Sequence, residues 1–262
     1  MTSFRYKGYD IPEDLMVLTG AGSHSWFEIA KSHMHDYEQC CPIRPGQHLI
    51  EIGCGVGRDA MHLPDRVGSD GTYLGLDIIP TSIQWCQDNI SPRFPNFRFE
   101  LVDVYNKFYN PTGKLKGSSM QIPAADSSVD RILLQSVFTH MFEDDIVSYL
   151  REFRRVLKPE GLVHATFFVL DGPPDTRARS TNSVIRRRRV APDPELSFRH
   201  AYGDGCWIQM PEPPEAAVAY LPGALERMLD ASGMELDQPV HHGSWSGRAS
   251  DHGQDIAVLR RR

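Results

Sequence analysis

His48-Leu49-Ile50-Glu51-Ile52-Gly53-Cys54-Gly55-Val56-Gly57-Arg58 is the stretch on which the reading of this chain turns. A short apolar run of strand character passes into three glycines separated by single residues, and a helical pattern over 58–66 follows. Such a turn brings backbone close beneath a ligand, where a Cβ would collide, with the first amides of the next helix facing it. The same residues disfavour two ligands. A dinucleotide fingerprint needs glycine at the sixth position of G-x-G-x-x-G, where Arg58 stands. A phosphate loop needs G-x-x-x-x-G-K-[ST], which is missing here. Glu51, just ahead of the first glycine, repels a phosphate and suits a ligand that carries an ammonium group.

Working outward, further strands are predicted over 72–76, running to Asp77, over 97–102, running to Asp103, over 129–134 and over 162–170. Helices are predicted over 81–89, opened by Pro80, over 143–157, and over 221–231, ended by Gly233; Lys158-Pro159-Glu160-Gly161 separates the second of these from the next strand. The tail adds strand patterns over 234–240 and 255–259. Regular β-α alternation argues a doubly wound, parallel α/β sheet. Residues 1–46 read as a helical cap with a helix over 26–37, and 47–262 as one domain with insertions at 105–120 and 171–215. The second insertion is rich in proline and contains Arg186-Arg187-Arg188-Arg189; from 175 to 199 it carries seven Arg against three acids.

At 262 residues the chain has room for one large α/β domain. Its 28 Lys and Arg against 34 Asp and Glu give a net charge of -6, which leaves no electrostatic footprint for nucleic acid or an anionic membrane. The apolar run at 162–170 is too short to span a bilayer, and the N-terminal stretch has no signal-peptide character, so a cytoplasmic protein is expected. Five cysteines in irregular spacing make neither a disulfide framework nor a zinc site, and no metal is expected.

EIGCGVG (51–57), the strand-end Asp77, LVDV (101–104), IPAADSSVDRILLQSVFTHM (122–141) and EFRRVLKPEG (152–161), in that order, resemble the class I S-adenosylmethionine-dependent methyltransferases, in their small-molecule branch. The resemblance covers roughly residues 47–170. It implies a Rossmann-like seven-stranded mixed sheet with an antiparallel last strand, and S-adenosylmethionine as cofactor with S-adenosylhomocysteine as product. It further implies that Gly53, Gly55 and Gly57 lie along the methionine part, with Cys54 packed among them and Glu51 near the ammonium. Asp77 would accept from both ribose hydroxyls, and Ile78 would lie on the adenine face. Asp103 would accept from the adenine amino group beside the Val104 amide, with Gln135 and Ser136 near the sulfonium. The insertion after Asp103 departs from the family's shortest members and puts the adenine contact in question.

Methyl transfer from a sulfonium is an in-line displacement, so the protein positions the acceptor and, where needed, takes its proton. His140, after the fourth strand, is the expected base. Trp26, Tyr105, Tyr109, His200, Trp207, His241 and Trp245 are candidates to surround the acceptor. A hydroxyl or carboxylate oxygen of a sugar or specialised metabolite is favoured, because the asparagine-proline-proline-aromatic motif of amide and nucleobase N-methylation is missing. N-methylation of an amino sugar or amine is the alternative, and a non-catalytic binding or assembly protein stands behind both. The arginine run suits an acidic or carrier-bound acceptor.

Overall fold

The computed structural model describes residues 2–107, 109–174 and 196–262. In chain order the elements begin with β1 (Ser3–Tyr6), β2 (Tyr9–Pro12), α1 (Glu13–Val17) and α2 (Trp26–Cys40). Then come β3 (His48–Ile52), α3 (Pro64–Val67), β4 (Thr72–Asp77), α4 (Pro80–Asn89), β5 (Phe97–Leu101) and β6 (Val129–Leu134). They continue with α5 (Glu143–Val156), β7 (Leu157–Phe167), β8 (His200–Ala201), β9 (Cys206–Ile208) and β10 (Val218–Tyr220). The last are α6 (Pro222–Ser232), β11 (Met234–Leu236) and β12 (Asp255–Arg261). One seven-stranded mixed sheet has the order β5-β4-β3-β6-β7-β12-β11. β3, β4 and β5 pair in parallel, while β12 is antiparallel to both β7 and β11. This is the expected doubly wound α/β fold with its antiparallel last strand.

The chain divides into two compact units, residues 1–133 with 156–161, and residues 134–155 with 162–262. The core of the first unit gathers Tyr9, Ile11, Met16, Trp26, Tyr37, Leu49, Tyr73, Phe97 and Phe99. Gly75, in the middle of β4, pairs with Glu51 on one side and Phe99 on the other. A Cβ there would come within 2.7 Å of the Phe99 ring and 2.9 Å of Cys54 Sγ, so the strand needs glycine where those two side chains close over it. In the second unit Phe168, Leu196, Phe198, Ala217, Ala219 and Trp245 form a separate cluster, with Phe168 and Trp245 edge to face at 4.9 Å between centroids.

Three expectations are corrected. The cap is not purely helical: β1 and β2 form an antiparallel hairpin ahead of α1, turning at Lys7 and Gly8, both at positive φ. The helix expected over 58–66 is a 3-10 turn (Ala60–His62) followed by the four-residue α3, because Pro64 has no N–H to carry the helix ladder through. β7 starts at Leu157, not 162. Gly161 allows this, since a Cβ there would stand 2.9 Å from the Val129 carbonyl, and the Ser128 amide donates to the Val156 carbonyl at 2.8 Å. Within the second insertion β8 and β9 pair with each other, and β10, just after it, completes a small antiparallel sheet. The arginine run at 186–189 lies outside the described residues. Among the described residues no helix is long and apolar enough to cross a membrane.

Candidate active site

Gly53, Gly55 and Gly57 all sit at left-handed φ, +74°, +53° and +73°, which other residues adopt only at a cost. The loop is tied to β4 by backbone and side chain together. Gly53 and Cys54 donate to the Leu76 carbonyl at 2.7 and 3.1 Å, and Gly55 donates to Asp77 Oδ2 at 2.6 Å. Asp77 Oδ1 accepts from the Ile79 amide at 2.9 Å. Burial raises the Asp77 carboxyl, and the Gly55, Ile79 and Ile78 amides oppose that rise. Ile78 beside it is half-buried. What a Cβ at Gly55 would meet is the Thr19 methyl, at 2.7 Å, so the segment before α2 lies over the glycine loop.

Cys54 and Cys86 are buried, and burial pushes both thiols well above the ordinary range, so neither offers a thiolate. Glu51 is also buried and accepts from the Tyr73 hydroxyl. Its carboxyl is pushed well up, first by burial and then by the Asp59 charge, against the Tyr73 hydrogen bond and Arg58. A cationic ligand group beside it would favour the ionised form.

Asp59, two residues after Gly57, centres a buried cluster beside the loop that the sequence alone does not reveal. His33 Nδ1 lies 2.8 Å from Oδ2 and 3.0 Å from Oδ1, and the Tyr37 hydroxyl donates to Oδ2 at 2.7 Å. Burial alone would raise this carboxyl, but His33, Arg58 and Tyr37 together bring it down to about 2. The signal was present as His33 and Tyr37 one helical turn apart on α2, but Asp59 lies 22 residues beyond Tyr37 and nothing local says that they meet. Asp59→Ala leaves two buried partners unanswered and is expected to lower unfolding free energy in urea by about 2 kcal/mol. Because the folded carboxyl titrates below its ordinary value of 3.8, this contribution is complete above about pH 4 and disappears as pH falls towards 2. A difference between wild type and variant that stays constant down to that pH would remove the assignment.

Asp103 and Val104 are held by the first insertion. Asn110 Nδ2 donates to Asp103 Oδ1 at 3.2 Å and to the Val104 carbonyl at 3.1 Å, and the Lys114 and Leu115 amides donate to the Asp103 carbonyl at 2.9 Å. The insertion therefore folds back onto these two residues, and Tyr105 and Tyr109 stand exposed on it. Trp26 is fully buried in the first core and stacks with Arg58 instead of facing an acceptor.

In the second unit, Gln135 is half-buried and Ser136 is at φ +57°, with its amide donating to Thr166 Oγ1 at 2.8 Å and its hydroxyl to Gln254 Oε1 at 3.0 Å. His140 lies in a 3-10 turn (Phe138–His140) after β6, with Nδ1 3.0 Å from the Glu215 carbonyl. Burial lowers its imidazole below the ordinary histidine value, against the carbonyls of Glu215 and Ala216. Trp245 has no open surface; its Nε1 donates to the buried Asp255 at 2.6 Å, where the Gly243 and Val169 amides also donate at 2.7 Å each. His241 bridges to Ile256 in antiparallel pairing, Trp207 packs on the Phe168 cluster, and His200 is exposed on β8.

A glycine loop after the first parallel strand of the sheet, locked to an acid at the end of its neighbour, is the arrangement that the resemblance to the class I methyltransferases implies. Residues 50–165 match the model of the family described as a methyltransferase domain. The chain is 28% identical over 135 residues to the methyltransferase GfsG of Streptomyces halstedii, covering 51% of this chain and 42% of that protein. It is 25% identical over 157 residues to the demethylmenaquinone methyltransferase of Desulfitobacterium hafniense, covering 60% and 53%. The chain thus spans about half, or less, of the length of these relatives. An S-adenosylmethionine-dependent methyltransferase from Aquifex aeolicus shares the fold, with TM-score 0.53 at 15% identity over 94% of this chain and 96% of that one. Residues 50–165 are thus similar to the methyltransferase domain family, and the fold is that of the class I S-adenosylmethionine-dependent methyltransferases.

Proposed function

We propose that this protein transfers a methyl group from S-adenosylmethionine to an oxygen, hydroxyl or carboxylate, of a small molecule such as a sugar or specialised metabolite. The observation that carries the cofactor half is the lock of Asp77 on the glycine loop. It leaves a buried carboxylate at the strand end, with lone pairs beyond its two amide bonds for the ribose hydroxyls. Glu51 answers the ammonium, and Asp103 takes the adenine amino group; the Val104 amide beside it already donates to the Val102 carbonyl at 2.7 Å. When bound, the cofactor supplies an already activated methyl group, so the work left to this chain is orientation and handling of the acceptor proton.

The acceptor half rests on His140. With Nδ1 directed at a backbone carbonyl, the neutral ring carries its proton there and leaves Nε2 as the basic lone pair, the state that burial favours. A neutral imidazole lone pair can take the proton that a hydroxyl acceptor must lose. The demethylmenaquinone relative is named for a small-molecule acceptor, which supports that class of substrate. Of the acceptor candidates, Tyr105 and Tyr109 in the first unit are exposed, and in the second unit His200 is exposed and Trp207 partly so.

Incubation with methyl-labelled S-adenosylmethionine and fractionated small-molecule extract, read by mass spectrometry and then by NMR of the product, tests this reading. A new O-methyl signal is expected. An N-methyl signal would replace the oxygen acceptor with an amine, and cofactor binding without any product across all fractions would favour a non-catalytic role.

A further inference from the structure

We infer that Arg58 is the residue that binds the carboxylate at the amino-acid end of the cofactor; this rests on the S-adenosylmethionine reading above and adds to it a group the sequence reading used only to exclude a dinucleotide. A guanidinium has five N–H donors in a fixed plane. Here the side chain is 13% exposed, yet its donors are almost unused. Nη1 has one long hydrogen bond, 3.4 Å to Thr19 Oγ1, and Nε is buried with no acceptor at all. The nearest carboxylate oxygen, Asp59 Oδ1, is 3.7 Å from Nε, beyond hydrogen-bond range.

The neighbouring acids are already engaged, Asp59 by His33 and Tyr37, and Glu51 by Tyr73. Asp59 offsets part of the Arg58 charge across 3.7 Å but takes none of its hydrogen bonds, and a planar fork with unused buried donors fits a carboxylate bidentately. The Trp26 indole lies 5.5 Å from the guanidinium carbon and holds its plane; its own Nε1–H is also buried without an acceptor. Thr19 fixes the location. Its hydroxyl accepts from Arg58, while its methyl lies 2.7 Å from where a Cβ on Gly55 would stand, so the guanidinium lies beside the residue that covers Gly55, next to the glycine loop. Glu51 and Arg58 then offer opposite charges to the two ends of one zwitterion.

The test is calorimetric titration of wild type, Arg58→Gln and Arg58→Lys with two probes: S-adenosylmethionine, and its decarboxylated form, which keeps the nucleoside, sulfonium and amine. Arg58→Gln should weaken S-adenosylmethionine by about 30-fold, the scale of charge-assisted hydrogen bonds, while binding of the decarboxylated probe stays within about twofold. Arg58→Lys, which keeps the charge and loses the fork, should fall between wild type and Arg58→Gln for S-adenosylmethionine only. Equal losses for both probes would make Arg58 a structural element of the loop, and unchanged affinity for S-adenosylmethionine would remove it from the site; either overturns the inference. If wild type binds neither probe, the cofactor reading itself fails, an outcome distinct from both. Binding of the decarboxylated probe also shows that each variant is folded.

Discussion

Asp77→Ala is expected to weaken S-adenosylhomocysteine binding, measured by calorimetry, about 100-fold or more. Two losses combine in that figure. The first is the ribose contact, where two hydroxyls lose an ionised acceptor, on the order of 2 kcal/mol or more. The second acts on the protein before any ligand arrives. Oδ2 holds the Gly55 amide and Oδ1 the Ile79 amide, so removing the carboxylate frees the middle of a loop whose glycines depend on it to stay at left-handed φ. Asp77→Asn separates the two. It keeps the side-chain shape but presents an NH2 group to one of the two amides, so the loop loses one acceptor while one oxygen remains. We expect it to bind several-fold better than the alanine variant and still well below wild type. Unchanged affinity in Asp77→Ala would remove the ribose assignment, and the lock to Gly55 would then be purely structural.

The parts of this fold that sequence made legible are those whose cause is local. β3, β4 and β6 are short apolar runs closed by glycine, aspartate or a polar turn, and α4 starts at the proline that marks it. The left-handed Gly233 ends α6 where a glycine C-cap belongs. What stayed hidden depends on partners remote in the chain. β8 to β10 are two or three residues each, too short for alternation to register, and exist because they pair with one another. β1 carries an exposed, half-buried alternation that only its pairing with β2 turns into a strand.

The site divides in the same way. Glycines and strand-end acids announce themselves through backbone needs, so Gly53, Gly55, Gly57 and Asp77 were readable. Arg58, Asp59, His33 and Tyr37 become a constellation only when α2 is laid beside the loop. Trp26 and Trp245 looked like binding aromatics because composition does not distinguish a ring on a surface from a ring in a core. Each is buried, one stacked with Arg58 and the other hydrogen-bonded to Asp255.

His140→Ala should lower kcat about 100-fold while leaving cofactor affinity unchanged, the split expected of a general base that does not itself hold the cofactor. The pH dependence follows from the ring's surroundings. Burial pulls its pKa below the ordinary value of 6.5, so the basic, neutral form prevails across neutral pH and kcat should be level there. The acid limb of the wild-type profile should then fall below pH 6.5, as the ring takes up a proton at Nε2 and can no longer accept one from the acceptor. His140→Ala should lack that limb as well as the rate, and His140→Gln, which restores a hydrogen bond to the Glu215 carbonyl without basicity, should not recover it. If the limb and the rate both survive in the alanine variant, the acceptor reaches the sulfonium already deprotonated. Positioning then accounts for the whole of the chain's contribution, as in-line transfer from an activated donor permits.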